Sequence, residues 1–286
     1  MDFEKYLSDK KSIIDKALDR FLPTEESPPV ILHKAIRYST FSGGKRLRPI
    51  LTLATAELLG KEIEIVLNFA CGIELIHTFS LIHDDLPCID NDDFRRGKPT
   101  SHKVFGEAIA LLAGDALMVL GFESILKSTE NRMVKKQAIL KALKEVAYYI
   151  GTENMLGGQV EDITIEDERI DGEDLRRIYR KKTAALICVA LRGGAILSGA
   201  DQKQLKALTS YGENIGLAFQ ITDDIIDILR DQREMKKPTY PYKYGIKESK
   251  IEVEKLIKEA KVSLEIFGKK AEFLSNFADY IVSREK

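Results

Sequence analysis

Five aspartates crowd one short stretch, "HDDLPCIDNDD" (83–93): Asp84, Asp85, Asp90, Asp92 and Asp93. A second acid group, "FQITDDIID" (219–227), carries Asp223, Asp224 and Asp227. Two carboxylates about 4 Å apart repel by about 1 kcal/mol in water and about 4 kcal/mol at an effective dielectric of about 20. Such clusters call for a cation. On a helix, residues seven apart share a face, so His77 lies on the face of Asp84. Gln220, Asp223 and Asp227 follow the spacing i, i+3, i+7 and also share a face, while Asp224 points elsewhere. Asp223 and Asp227, one turn apart, can bridge one hard cation. Oxygen donors without His or Cys ligands suit Mg²⁺, which keeps several waters and binds through one or two carboxylates plus substrate phosphates. The twelve-residue calcium loop is absent. No pair among His33, His77, His83 and His102 has zinc-binding spacing, which leaves His83 either a ligand or, better supported, a core residue.

Basic groups that could meet such phosphates recur along the chain. "FSGGKRLRPI" (41–50) sets Gly43 and Gly44 before Lys45, Arg46 and Arg48 at a helix start, where free amides and the helix dipole favour anions. The segment is not a Walker loop. Arg95 and Arg96 follow the first acid cluster, "YRKKTAAL" (179–186) supplies Lys182 and Thr183, and "MKKPTYP" (235–241) supplies Lys237. Arginine offers bidentate phosphate contacts and lysine a point charge. Taken with two Mg²⁺ platforms, these handles imply a diphosphate, and their number favours two.

Nearly every long segment that must carry these groups has helical period. Helices are expected at 2–21, 29–41, 47–59, 63–85, 104–128, 132–151, 153–165, 171–198, 202–231, 247–262 and near 270–284. Strand alternation and hairpin dipeptides such as Asn-Gly are absent. Residues 63–85 are apolar on nearly all sides, as in a central buried helix, with Phe69, Ile73, Ile76 and Phe79 deeper than the aspartates. Phe79 lies about 7–8 Å below Asp84 along the axis. Pro87 should end the helix and let Asp90 fold back toward Asp84. With no linker or composition shift, residues 1–286 are expected to form one all-α domain.

Composition narrows the function. The formal net charge of −1 argues against a general nucleic-acid binder. Cys71, Cys88 and Cys188, with no CxxC pair, read as reduced thiols in a cytoplasmic protein. There is no signal-peptide core, and no 18-residue stretch lacks charge, so no membrane span is expected.

"GGKRLRP", "ELIHTFSLIHDDLPCIDNDDFRRGKPTSH", "GGQVED", "RKKTAAL" and "GLAFQITDDIID" occur in this order. Together they resemble the short-chain trans-isoprenyl (polyprenyl) diphosphate synthases, most closely the bacterial farnesyl diphosphate synthase type, over essentially the whole chain. The resemblance implies an isoprenoid-synthase-type helical bundle around a deep apolar cavity, forming a homodimer. It implies that Lys45, Arg48, His77 and Arg96 hold the diphosphate of isopentenyl diphosphate. It assigns metal ligation to Asp84, Asp85, Asp90, Asp223 and Asp227, with three Mg²⁺ on an allylic diphosphate (dimethylallyl or geranyl) and Mn²⁺ able to substitute. Arg95, Lys182, Thr183, Gln220 and Lys237 would contact that allylic group. The reaction implied is ionisation, condensation and elimination, with Asp84, Asp90, Asp223 and Lys182 central to it. Phe79, five residues before the first aspartate, with Ser80, would set the chain-length floor and favour a farnesyl product. In one respect the chain departs from the family: "ILRDQREMKK" (228–237) is shortened before the Lys-x-Thr-Tyr-Pro position.

Three alternatives stand beside this reading. A geranylgeranyl diphosphate synthase shares every motif. A terpene cyclase usually replaces the second aspartate motif and needs no second diphosphate pocket. A non-catalytic partner subunit tends to lose motif aspartates or arginines, which are complete here.

Overall fold

The helix from Leu67 to Asp84 is apolar all round, and a helix of that kind must be buried on all sides. In the computed structural model, which describes residues 2–165, 170–230 and 238–283, it is the central element of its unit. Phe69, Ile73 and Ile76 are fully enclosed. The chain divides into two units, one of Asp2–Glu57 and Lys61–Leu143 and one of Leu58–Gly60 with Lys144 onward.

The first unit runs α1 (Phe3–Phe21), α2 (Val30–Thr40), α3 (Leu47–Leu58), α4 (Leu67–Asp84), β1 (Phe94–Arg95), β2 (Lys98–Pro99), α5 (Ser101–Phe105) and α6 (Glu107–Lys127). Glycines allow α6 to lie close along α4. A Cβ on Gly72 would stand 2.6 Å from the Gly121 carbonyl oxygen, and one on Gly114 would stand 2.2 Å from His83 Nε2. The other side of α6 leaves Leu111, Leu112, Val119 and Leu126 exposed. By length and composition alone, Glu107–Glu130 is long and apolar enough to cross a membrane, although it carries Glu107, Asp115, Glu123, Lys127 and Glu130.

In the second unit α7 (Lys136–Ile150), which begins in the first, is followed by α8 (Met155–Thr164), α9 (Gly172–Tyr179), α10 (Ala185–Leu197), α11 (Gln202–Arg230), α12 (Tyr240–Ser263) and α13 (Glu272–Ser283). Between α9 and α10, Arg180–Ala184 forms a π-helical turn. Such a turn inserts one residue and re-aims the side chains around it. Close contacts clamp it from both sides. A Cβ on Gly158 of α8 would meet Lys182 N at 2.6 Å, and one on Gly216 of α11 would meet Ala184 Cβ at 2.3 Å.

The all-α class holds, with three local departures from the pattern. β1 and β2 form a short antiparallel hairpin where none is expected. Its turn residues, Arg96 and Gly97, both have positive φ (53° and 75°), the backbone that Asn-Gly usually supplies. α12 begins at Tyr240, not near 247, because the Thr239 side chain caps it and the break falls inside, at Gly245 (φ 81°). The expected 171–198 helix is interrupted by the π turn, which periodicity cannot reveal.

Candidate active site

In the first unit, backbone conformation does much of the positioning. The loop before α3 uses positive φ at Gly43 (114°), Gly44 (109°) and Arg46 (54°). Arg96 Nη1 donates to the Gly43 carbonyl at 2.6 Å, and any side chain at Gly44 would strike the Arg96 guanidinium. The loop and the hairpin turn are thereby joined, which brings Arg96 to the "GGKRLRP" segment.

Arg46, read above as a phosphate handle, is instead buried inside the unit. Its Nε and Nη1 donate to Asp15 Oδ1 and Glu74 Oε1, each at 2.8 Å, and its Nη2 to the Thr40 carbonyl at 2.6 Å. The cause is Glu74, a carboxylate in the middle of apolar α4 that must have a counter-charge. A lone glutamate within "ACGIELIH" was the signal that could have been used. Arg48, by contrast, is half-buried and contacts His77, Nη1 to Nε2 at 3.2 Å. Packing around the ring, and then the guanidinium of Arg48, hold the His77 pKa well below its usual value. His77 is therefore neutral and accepts from Arg48 through Nε2, with its proton on Nδ1. Lys45 is exposed at the same loop.

α4 ends at Asp84, and the Asp90 amide donates to the Asp84 carbonyl at 2.9 Å. The fold-back expected from Pro87 is present, and it draws the two half-buried aspartates together in the chain. Asp85 is buried and engaged by Arg95, whose Nε reaches Oδ1 at 2.7 Å and Oδ2 at 2.9 Å. Burial raises the Asp85 pKa and Arg95 works against that rise. His83 Nε2 donates to the Leu111 carbonyl at 3.0 Å, and the ring packs edge-on against Phe79, in keeping with a packing residue. Phe79 is buried, and Ser80 Oγ donates to the His77 carbonyl at 2.9 Å.

In the second unit, helix faces do the positioning. Gln220, Asp223 and Asp227 lie on α11 as their spacing requires. Thr183 Oγ1 donates to Gln220 Oε1 at 2.7 Å, and Gln220 Nε2 donates to Asp224 Oδ1 at 3.0 Å. Tyr179 donates to Asp224 Oδ2 at 2.5 Å, and the Tyr240 amide donates to the Tyr179 oxygen at 3.1 Å. Asp224 thus orients the Gln220 amide rather than facing outward with its neighbours. Burial, opposed by Tyr179 and Gln220, pushes its pKa up to about 7. Lys182 Nζ rests 2.8 Å from Asp162 Oδ2. Tyr179 and Asp162 escaped the reading of the sequence, although Asp162 ends the quoted "GGQVED". Lys237 lies outside the described residues.

The acid sets fit a hard divalent ion. Among the described residues, no group of three or more His, Cys, Asp or Glu is assembled to hold a metal on its own. One or two carboxylates with room for waters and phosphate oxygens is the Mg²⁺ manner of binding.

The polyprenyl synthetase family pattern matches residues 29–259. The geranylgeranyl diphosphate synthase of Cyanophora paradoxa is 42% identical over 98% of this chain and 95% of its own length. The dimethylallyltranstransferase of Fischerella ambigua is 42% identical over 98% of this chain and 83% of its own. An apo crystal structure of an FPP/GFPP synthase from Zymomonas mobilis superposes with a TM-score of 0.90 at 36% identity, covering 98% of both chains. A geranyltransferase from Legionella pneumophila gives 0.90 at 30% identity over 98% of this chain and 97% of that one. The chain belongs to the polyprenyl synthetase family of prenyltransferases.

Proposed function

We propose that the protein condenses isopentenyl diphosphate with dimethylallyl and geranyl diphosphates to give farnesyl diphosphate. The observation that carries this reading is the joined loop and hairpin that gather Arg48, His77 and Arg96 in the same unit as the Asp84–Asp90 fold-back. Arg48, Arg96, Lys45 and neutral His77 hold the isopentenyl diphosphate. Lys182, Thr183, Gln220 and Arg95 serve the allylic diphosphate, with Lys237. Asp84, Asp90, Asp223 and Asp227 hold Mg²⁺, while Asp85, also assigned to the metal from the sequence, has both oxygens taken up by Arg95 and keeps that side chain in place. Bound there, Mg²⁺ supplies charge stabilisation for the departing diphosphate.

The allylic C–O bond breaks and its electron pair leaves with the diphosphate. Lys182 and Arg95 stabilise that developing charge. The double bond of isopentenyl diphosphate then forms the new C–C bond, and the proton lost in the elimination passes to the released diphosphate. Apolar side chains around the prenyl chain exclude water from the cation.

Phe79, buried below Asp84 on α4, supports the C15 product. A C20 product is the second reading, favoured by the names of relatives such as the Cyanophora paradoxa enzyme. Gas chromatography of dephosphorylated products from each primer distinguishes them. Phe79→Ala should lengthen the main product by at least one isoprene unit, and an unchanged product would remove Phe79 from the floor. The exposed Leu111, Leu112, Val119 and Leu126 support a homodimer joined through α6, and the free thiols of Cys71, Cys88 and Cys188 support a cytoplasmic location. Analytical ultracentrifugation showing only monomer would overturn that part.

A further inference from the structure

Serving as a diphosphate ligand requires the Lys182 ammonium to leave Asp162, its partner at 2.8 Å. Both side chains are largely shielded, so Asp162 gives up this contact where solvent replaces it poorly. Three residues upstream on the same face of α8 stands Gln159. Both heavy atoms of its amide are buried and have no hydrogen-bond partner. The residue as a whole is half-buried, so its exposed part is the stem and its polar head is turned inward. A shielded amide with nothing to bond is costly, and native structures keep few of them. Gly158, next to Gln159, lets the α8 backbone lie against the Lys181–Lys182 backbone, which sets the α8 turn that carries Gln159 and Asp162 beside the segment that carries Lys182. A Gln and an Asp three apart on a helix are within hydrogen-bonding reach of each other. Neighbouring Lys181 is already committed to Glu161 at 2.5 Å.

We infer that Gln159 is a positioning residue that takes over Asp162 when Lys182 turns to the allylic diphosphate. Gln159 Nε2–H donates to the Asp162 carboxylate as Lys182 Nζ releases it. The unpaired amide of the free protein is thus a donor held ready for the bound state, and its satisfaction favours binding. The inference rests on the diphosphate reading of Lys182.

The test is calorimetric titration of the full chain with Mg²⁺ and an inert allylic thiolodiphosphate. Gln159→Met should weaken binding about 10- to 100-fold, the scale of one hydrogen bond to a charged group. The free variant should be at least as heat-stable as the parent, because an unpaired polar group is removed. Placed on Asp162→Ala, the same substitution should change affinity less than twofold, since its acceptor is gone. In steady state, KM for the allylic substrate should rise more than kcat falls. Gln159→Glu keeps the shape, loses the donor and should bind at least as weakly, which decides the matter should Gln159→Met fold poorly. Parental affinity in both Gln159 variants, or an equal loss with and without Asp162, would overturn the inference. Lys182→Ala separates it from the underlying reading: parental affinity there sinks the role of Lys182, whereas a loss there without a loss in the Gln159 variants sinks only the inference.

Discussion

In the first unit the charged groups are held mainly by opposite charges; in the second, the most deeply buried acid is held by neutral donors. Arg46 lies between Asp15 and Glu74, and Arg95 grips Asp85 with both carboxylate oxygens engaged. Asp224 instead receives a phenol and an amide, from Tyr179 and Gln220. The consequences for ionisation differ. Asp15 sits below the usual carboxylate range: its partial burial raises it, but Lys11 and Arg46 prevail. Asp224 rises to about 7, because neutral donors offset burial only in part. Fixed cations suit a site that must receive an anion. Neutral struts suit a site whose neighbouring acids are to share a cation.

The comparison is broken most directly by rates. Asp84→Ala and Asp223→Ala should each slow the first condensation by about a thousandfold or more, with helical circular dichroism unchanged. A near-normal rate in either would show that its region does not hold the metal.

Stability provides the next test. Arg46→Ala leaves Glu74 buried without its counter-charge and should cost about 3–5 kcal/mol. Tyr179→Phe removes one donor from Asp224 and should cost about 1–2 kcal/mol. Denaturant unfolding measures both. Equal losses would mean that charge and neutral struts carry the same weight here, and the contrast would fail.

The smallest effect sharpens the first region alone. His77 has a pKa below its unfolded value near 6.5, so below that pH the unfolded chain takes up a proton that the folded one refuses. Its contribution to stability is therefore complete above pH 6.5 and is lost as pH falls toward the folded pKa. His77→Gln should lessen the acid loss by up to about 1.4 kcal/mol per pH unit between pH 6.5 and 5. Unfolding free energies at pH 7, 6 and 5 check this. Parallel pH profiles would mean that His77 is protonated in the fold.

Much of the architecture was legible locally. The all-round apolar pattern of 63–85 marked the buried helix, Pro87 marked its end and the return of Asp90, and i, i+3, i+7 placed Gln220, Asp223 and Asp227 together. The hairpin at 94–99 was not legible, because Arg-Gly takes a left-handed turn here that Arg seldom adopts, with Arg96 tied to Gly43 from outside the turn. The π turn at Arg180–Ala184 was hidden for a similar reason. Nothing in "RKKTA" departs from helical composition, and the close approach of Gly158 and Gly216 comes from other helices.

The sequence by itself determined which elements exist and where the acids and bases lie along them, since helical period, proline geometry and glycine breaks act over a few residues. Tertiary structure alone decided which charge meets which. Arg46 finds Asp15 and Glu74 across 31 and 28 residues, and Tyr179 finds Asp224 across 45. A guanidinium in a basic run looks equally able to bind phosphate or to brace a core. Burial beside a carboxylate settles the matter, because an unpaired charge cannot remain where water does not reach.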